Sequence, residues 1–134
     1  MKKSVCMVVA NFYPKISKAL IVGSFKTLKS KGIKNYKLIK VPGVFEIPYV
    51  IKKNINKFDG FIALGCVIKG ETPHFDFISR ASINAIMNLS VSYNKPIANG
   101  IITCLNKKQA LARSSINNNK GKESAKTIIS LLKI

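Results

Sequence analysis

One histidine, His74, stands in a chain of 134 residues that carries 23 Lys plus Arg against only 5 Asp plus Glu. Imidazole is the side chain whose ordinary pKa lets it take and give protons near neutrality, and Glu71 and Asp76 lie close enough in sequence to tune it. These residue types fit a general acid/base; they also fit a solvent-facing histidine in the first turn of a helix. The acids are so few that their positions carry information. Glu46, Glu71, Asp76 and Glu123 all fall inside segments that read as motifs, and only Asp59 does not.

The run Gly65-Cys-Val-Ile-Lys-Gly70-Glu71-Thr72 has the glycine spacing of a nucleotide P-loop, but Glu71 occupies the position that needs Lys and would repel a phosphate. No G-x-G-x-x-G follows the first apolar run, so the dinucleotide-binding fingerprint is missing as well. A glycine loop that leads into a helix still offers backbone N–H groups and a helix dipole to a single phosphate. Arg113 and Lys120, near Glu123, suit a phosphate and a sugar hydroxyl; the alternative is a salt-bridged surface. Phe12 and Phe45 follow strand ends, where an exposed ring stacks on a flat ligand and a covered one packs the core. Glu46, directly after Phe45, can accept hydrogen bonds from a polyol or amine, or stabilise a helix N-terminus. One His with Cys6, Cys66 and Cys104 scattered along the chain gives no metal-ligand set. With no second His to activate a thiol, the cysteines read as buried and inert.

These residues need elements to hold them. Residues 4–10 form a short, β-branched apolar run that predicts a buried strand. Apolar residues Ile16, Ala19, Leu20, Phe25 and Leu28 recur at helical spacing over 16–31, with Gly32 as the stop. Residues 36–41 alternate as a second strand, Pro42-Gly43 turns the chain, and 44–56 read as a helix with Pro48 near its start. Strands at 61–67 and 96–103 and helices at 75–91, 107–114 and 121–133 complete the pattern. In the 75–91 helix, Phe75, Ile78, Ser82, Ala85, Ile86 and Leu89 share one face. Strands that alternate with helices pair in parallel through right-handed crossovers, which gives one α/β domain with helices on both faces of a sheet. Ligands of such sheets bind beyond the carboxyl ends of the strands. Residues 11–13, 42–46, 67–74 and 103–105 therefore share one rim.

At 47% hydrophobic residues the chain is ordinary globular material, long enough for one sizeable core, and neither low-complexity disorder nor a disulfide scaffold. No apolar run approaches the about 18 residues of a membrane span. The opening Met1-Lys2-Lys3 with its short apolar stretch runs into Asn11 and Pro14-Lys15 without a small-residue cleavage pattern, so it is not read as a signal peptide. An odd number of spaced cysteines fits a reduced, cytoplasmic setting. The net charge of +18 raises nucleic acid as a partner. However, only Arg80 and Arg113 are arginines, the lysines are strewn over the chain, and runs such as Asn117-Asn118-Asn119 point to compositional drift. The lysines are read as a solvated face with no nucleic-acid or membrane partner, whose positive field draws small anionic substrates.

In order, VVANFYPKIS (8–17), VPGVFEIP (41–48), ALGCVIKGETPHFDFI (63–78), PIANGIITCLNKKQALARS (96–114) and NKGKESA (119–125) resemble lumazine synthase, the penultimate enzyme of riboflavin biosynthesis, over nearly the whole chain. The resemblance implies a flavodoxin-like, three-layer αβα sandwich with a four-stranded parallel sheet, in agreement with the pattern above. It implies condensation of 5-amino-6-(ribitylamino)uracil with 3,4-dihydroxy-2-butanone 4-phosphate to 6,7-dimethyl-8-ribityllumazine, phosphate and water, with no cofactor. By motif position Phe12 stacks on the pyrimidine; Val44, Phe45 and Glu46 hold the ring and ribityl chain with Val67 and Ile68. Gly70, Glu71 and Thr72 supply loop contacts to the phosphate, and His74 is the general acid/base. Arg113 from the adjacent subunit binds the phosphate, with Lys120 and Glu123 completing the pocket across the interface. Lys69 stands where Arg is usual, and Asn99 where many members place a Phe that touches the ring from the neighbouring subunit. The resemblance further implies a ring of five with riboflavin synthase as a candidate partner. The segment 114–119 lacks the glycine-rich stretch of capsid-forming members and the chain starts almost on its first strand, which favours a pentamer over an icosahedral shell. The alternative is a flavin- or lumazine-binding protein without turnover, for which a proton shuttle at His74 would have no use.

Overall fold

The first strand, β1 (Val5–Ala10), is buried at all six positions, so its sequence shows no alternation. This is the signature of a strand covered on both faces by helices. The structure, a computed structural model, describes residues 2–133. After β1 come α1 (Pro14–Ser30), β2 (Tyr36–Val41), a single 3-10 turn (Val44–Glu46), α2 (Ile47–Lys53), β3 (Gly60–Ile68) and α3 (His74–Tyr93). The chain continues with β4 (Ile97–Cys104), α4 (Lys107–Arg113) and α5 (Lys120–Leu132).

All strand pairs are parallel and the order is β2-β1-β3-β4. Val5 lies opposite Tyr36 on one side and Gly60 on the other, and Ile68 opposite Cys104 closes the β3–β4 ladder. One face of the sheet packs Met7, Leu64 and Ile102 against Leu20 and Leu28 of α1 and Ala125 and Ile128 of α5. The other packs Val8, Phe61 and Ile101 against Ile47 and Ile51 of α2 and Ile86 of α3. The result is the expected three-layer αβα sandwich. Each of these covered Leu, Ile, Val, Met and Phe side chains contributes about 1.5–3 kcal/mol relative to exposure.

The helix boundaries differ from the periodicity in ways that local chemistry explains. Pro14 sits in the first turn of α1 and starts the helix two residues ahead of its first apolar contact, because a missing N–H costs nothing there. At the other end Gly32, with φ +75, lets its own N–H reach the Lys29 oxygen and that of Ile33 reach the Leu28 oxygen. The single helix read over 44–56 is instead the 3-10 turn Val44–Glu46 followed by α2. Pro48 has no N–H to give the Val44 carbonyl, so α-helical bonding cannot run through it. In α3 only Ser82 and Ile86 of the expected face are fully covered; Phe75, Ile78, Ala85 and Leu89 are half-buried.

Two short joints fix the late elements. Asn106 accepts the Gln109 N–H at 2.9 Å while the Gln109 side chain accepts the Leu105 N–H at 2.7 Å, a reciprocal cap that sets α4 directly on the end of β4. Where α5 crosses α1, Gly121 lies so close to the Leu20 carbonyl that a side chain would collide with it. Ser24 Oγ donates to the Gly121 oxygen at 2.6 Å across the same crossing.

Candidate active site

The carboxyl ends of β1 and β3 open into a cleft of about 470 Å³. Phe12, Val44, Phe45, Glu46, Val67, Ile68 and His74 line it, so the structure brings seven of the sequence-predicted residues together. A second cleft, about 370 Å³, lies along the β4 side and holds Arg113, Lys120 and Glu123 with residues 101–103 and Asn118. No residue is common to the two linings.

Local structure accounts for each placement. Phe12 follows β1 directly and is 70% exposed; Phe45, in the 3-10 turn, is 59% exposed. Neither is a core residue, and two uncovered aromatics facing one cleft form a platform for a flat ring. Phe12 meets Tyr13 edge to face at 5.0 Å. The 3-10 turn lies against the sheet because Gly65 of β3 has no side chain: a Cβ there would stand 2.8 Å from Val44 Cγ2. The Glu46 backbone N–H donates to the Gly43 oxygen at 3.2 Å, and the carboxylate lies beside Gly43, 3.1 Å from where a Cβ there would stand.

His74 is the first residue of α3, exposed to solvent, and its backbone N–H donates to Thr72 Oγ1 at 3.4 Å. The following first-turn N–H groups have no helical partner, and the positive end of the macrodipole of a 20-residue helix adds to them. An anion and a proton-transfer group are thus accommodated at one helix start. Gly70, Glu71 and Thr72 form the exposed loop that leads there and line neither cleft. Asn99 is exposed on β4, also outside both clefts, with its side-chain oxygen accepting the Ile101 N–H at 3.1 Å.

In the second cleft Lys120 Nζ stands 4.0 Å from Glu123 Oε1, a long contact between partly exposed groups that contributes little to stability. Arg113 has no carboxylate partner among the described residues. Its Nη1 donates to Cys104 Sγ at 3.8 Å.

Sequence reasoning placed Tyr13 and Thr103 on the rim without giving them a role, and missed Cys66 and Ile78 as lining residues, along with Ile101, Ile102 and Asn118. Tyr13 neighbours Phe12 on the rim and Ile78 sits one helical turn past His74, so helix and rim geometry held the signal. Burial raises the Tyr13 phenol above its ordinary value, and the Cys66 thiol beside it adds to the shift. Burial also pushes Cys66 up to about 12, reinforced by Cys104 next to it. A thiol so reluctant to ionise is no nucleophile at neutral pH, although it faces the cleft. Cys6, Cys66 and Cys104 are all free and buried. Among the described residues no group of three or more His, Cys, Asp or Glu is placed to hold a metal ion, and no helix is long and apolar enough to cross a membrane.

Comparison with known proteins agrees with this geometry. The profile of the 6,7-dimethyl-8-ribityllumazine synthase family matches residues 2–134. The 6,7-dimethyl-8-ribityllumazine synthase of Afipia carboxidovorans is 40% identical over 138 residues, covering 97% of this chain and 84% of that protein. The enzyme of the same name from Bartonella henselae is 40% identical over 136 residues, covering 98% and 87%. That of Bartonella tribocorum is 41% identical over 135 residues, covering 98% and 89%. With a match this complete, the chain belongs to the 6,7-dimethyl-8-ribityllumazine synthase family.

Proposed function

We propose that this chain is a lumazine synthase, which condenses 5-amino-6-(ribitylamino)uracil with 3,4-dihydroxy-2-butanone 4-phosphate and releases phosphate and water. The observation that carries the reading is His74 at the start of α3, on the lip of a cleft with two exposed aromatic rings. The pyrimidine stacks on Phe12, the ribityl chain runs along Val44, Phe45 and Glu46, and His74 moves the protons that imine formation, phosphate elimination and ring closure require. The substrate brings its own amine, so no lysine nucleophile is needed, and the chemistry asks for no cofactor.

The leaving phosphate needs a fixed cation, which Arg113 supplies from a neighbouring copy. Two arrangements support a shared site. His74 and Arg113 lie in clefts with no residue in common, so a second copy that brings its β4-side cleft against the first would complete the set. In addition, Phe77, Met87 and Val91 of α3 and Tyr49 of α2 are between 61% and 73% exposed, an apolar surface that a copy would cover. Joining unlike surfaces head to tail closes into a ring, and a pentamer in the cytoplasm is our reading of the assembly. Association with riboflavin synthase belongs to the same reading.

The test mixes purified protein with both substrates and follows lumazine fluorescence against the slow uncatalysed background, with light scattering to give the assembly size. We expect product in excess of background that falls about 10²-fold or more in His74→Ala. An excess that survives the substitution would remove His74 from the mechanism and leave positioning as the source of rate. No excess from folded, pentameric protein would overturn the synthase reading in favour of a binding protein.

A further inference from the structure

We propose that Cys104 is a positioning residue for Arg113, and that its sulfur aims the guanidinium into the β4-side cleft without neutralising it. The inference rests on the reading above that Arg113 takes the substrate phosphate.

Cys104 is the last residue of β4 and wholly buried, in the same core as Ala110 of α4. Arg113, one turn beyond Ala110, ends α4. The reciprocal cap of Asn106 and Gln109 sets α4 against β4 through a two-residue joint, so strand end and helix end, nine residues apart in sequence, face each other. Across it Arg113 Nη1 donates to Cys104 Sγ at 3.8 Å. On the neighbouring strand β3 the Cys66 thiol lies in the same buried core. The buried strand end thus fixes the acceptor, and the acceptor holds one nitrogen of the guanidinium.

The choice of acceptor has an electrostatic consequence. A guanidinium has five N–H donors, and a weak acceptor that engages one of them orients the plane and leaves the rest for a ligand. A carboxylate at the same position would bind the fork in two places and compete with the phosphate for its charge. Among the described residues the only ion pair is Lys120–Glu123, so Arg113 keeps its full positive charge while its direction is set. Placement before binding reduces the ordering cost when the anion arrives.

The assembled protein and its variants Cys104→Ala, Cys104→Val and Cys104→Ser would be titrated with inorganic phosphate by calorimetry and assayed with both substrates. Alanine removes the acceptor; valine removes it while keeping more of the volume, which covers the case of an alanine variant that fails to fold. Serine restores an acceptor. We expect alanine and valine to weaken phosphate binding and raise the KM for the butanone phosphate about threefold to tenfold, the loss of one hydrogen bond. The KM for the ribitylaminouracil should stay within about twofold, and serine should recover most of the loss. Phosphate affinity that is unchanged in alanine and valine, or equally reduced in serine, would overturn the proposal. So would a wild-type protein that does not bind phosphate. The two readings fail separately: wild-type turnover with phosphate affinity indifferent to Cys104 overturns only the positioning, whereas Cys104-dependent phosphate affinity without turnover overturns only the reaction.

Discussion

Asn119 Nδ2 donates to the main-chain oxygen of Ala19 at 3.0 Å, which ties the start of α5 to the middle of α1. The same amide donates to the Ser114 oxygen at 3.2 Å, and its oxygen accepts the Lys122 N–H at 3.0 Å. One buried side chain thus caps α5, closes the 114–119 loop and fixes the helix start that carries Lys120 and Glu123. Asn119→Ala should cost about 2–4 kcal/mol, from a lost N-cap, a loop carbonyl left unpaired at Ser114 and the lost tie to α1, where the Ala19 oxygen keeps its helical bond. Urea unfolding midpoints would measure it, and a loss below about 1 kcal/mol would show that water replaces the amide.

A second prediction concerns acid stability. Asp59 accepts the Ser4 backbone N–H at 2.7 Å and the Ser4 hydroxyl at 3.1 Å. The Ser4 backbone bond is the main reason its carboxyl lies below the ordinary 3.8; burial opposes it, and the Ser4 hydroxyl, Lys3 and Lys95 assist. Since the folded-state pKa is depressed, the stabilisation is fully present above the unfolded value and is lost as pH falls through the folded one. Asp59→Asn keeps the shape without the titration. Its stability deficit relative to wild type should therefore be constant from neutrality down to about pH 5 and shrink below pH 4. A deficit independent of pH over that range would contradict the assignment.

Phe12 offers a test in which function and stability separate. Because its ring is 70% exposed, Phe12→Ala should leave the unfolding free energy within about 0.5 kcal/mol. Removing the ring from under the pyrimidine should raise the KM for the ribitylaminouracil about threefold to tenfold and leave that for the butanone phosphate nearly alone. Equal effects on both constants would mean that the ring shapes the cleft and does not stack on the substrate.

The thiols should be silent in the folded protein. Burial raises Cys6 to about 11, partly offset by Lys37, and Cys66 to about 12. At pH 8 an aromatic disulfide reagent should therefore react slowly with Cys6 and Cys66, while burial alone shields Cys104, and all three should react once guanidinium is added. A fast-reacting thiol in native protein would place an opening motion at that strand.

Much of the scaffold was legible in the residues. The wholly apolar β1 and β3 segments announced covered parallel strands, and once those were placed the rim that carries Phe12, Phe45 and His74 followed. Less legible was the joining of segments distant in sequence. Ser17 and Ser24 look like the polar side of α1, yet both are buried, with hydroxyls bonded to the Ala10 and Gly121 oxygens at 2.6 Å. Nothing local marks such partners. The division of Phe12 and Arg113 between two clefts was equally beyond periodicity, because it depends on strand order: β1 lies inside the sheet and β4 at its edge. The 3-10 turn at Val44–Glu46 was hidden for the opposite reason, as Pro48 is compatible both with a helix start and with a break just before it.

The segment 119–125 alternates between two duties. Asn119 and Gly121 are buried in the joint with α1 and Ser124 and Ala125 are buried toward the sheet, while Lys122 and Glu123 are exposed and Lys120 half so. What looks like one motif is therefore two interleaved sets of positions, one buried and one exposed. The buried set answers to packing: a Cβ at Gly121 would collide with the Leu20 carbonyl, and the Asn119 amide is bonded on both sides. Substitutions at 120 and 123 would reshape the wall of the β4-side cleft without touching the buried crossing beneath it, so the lining of the cleft and the stability of the joint can change independently.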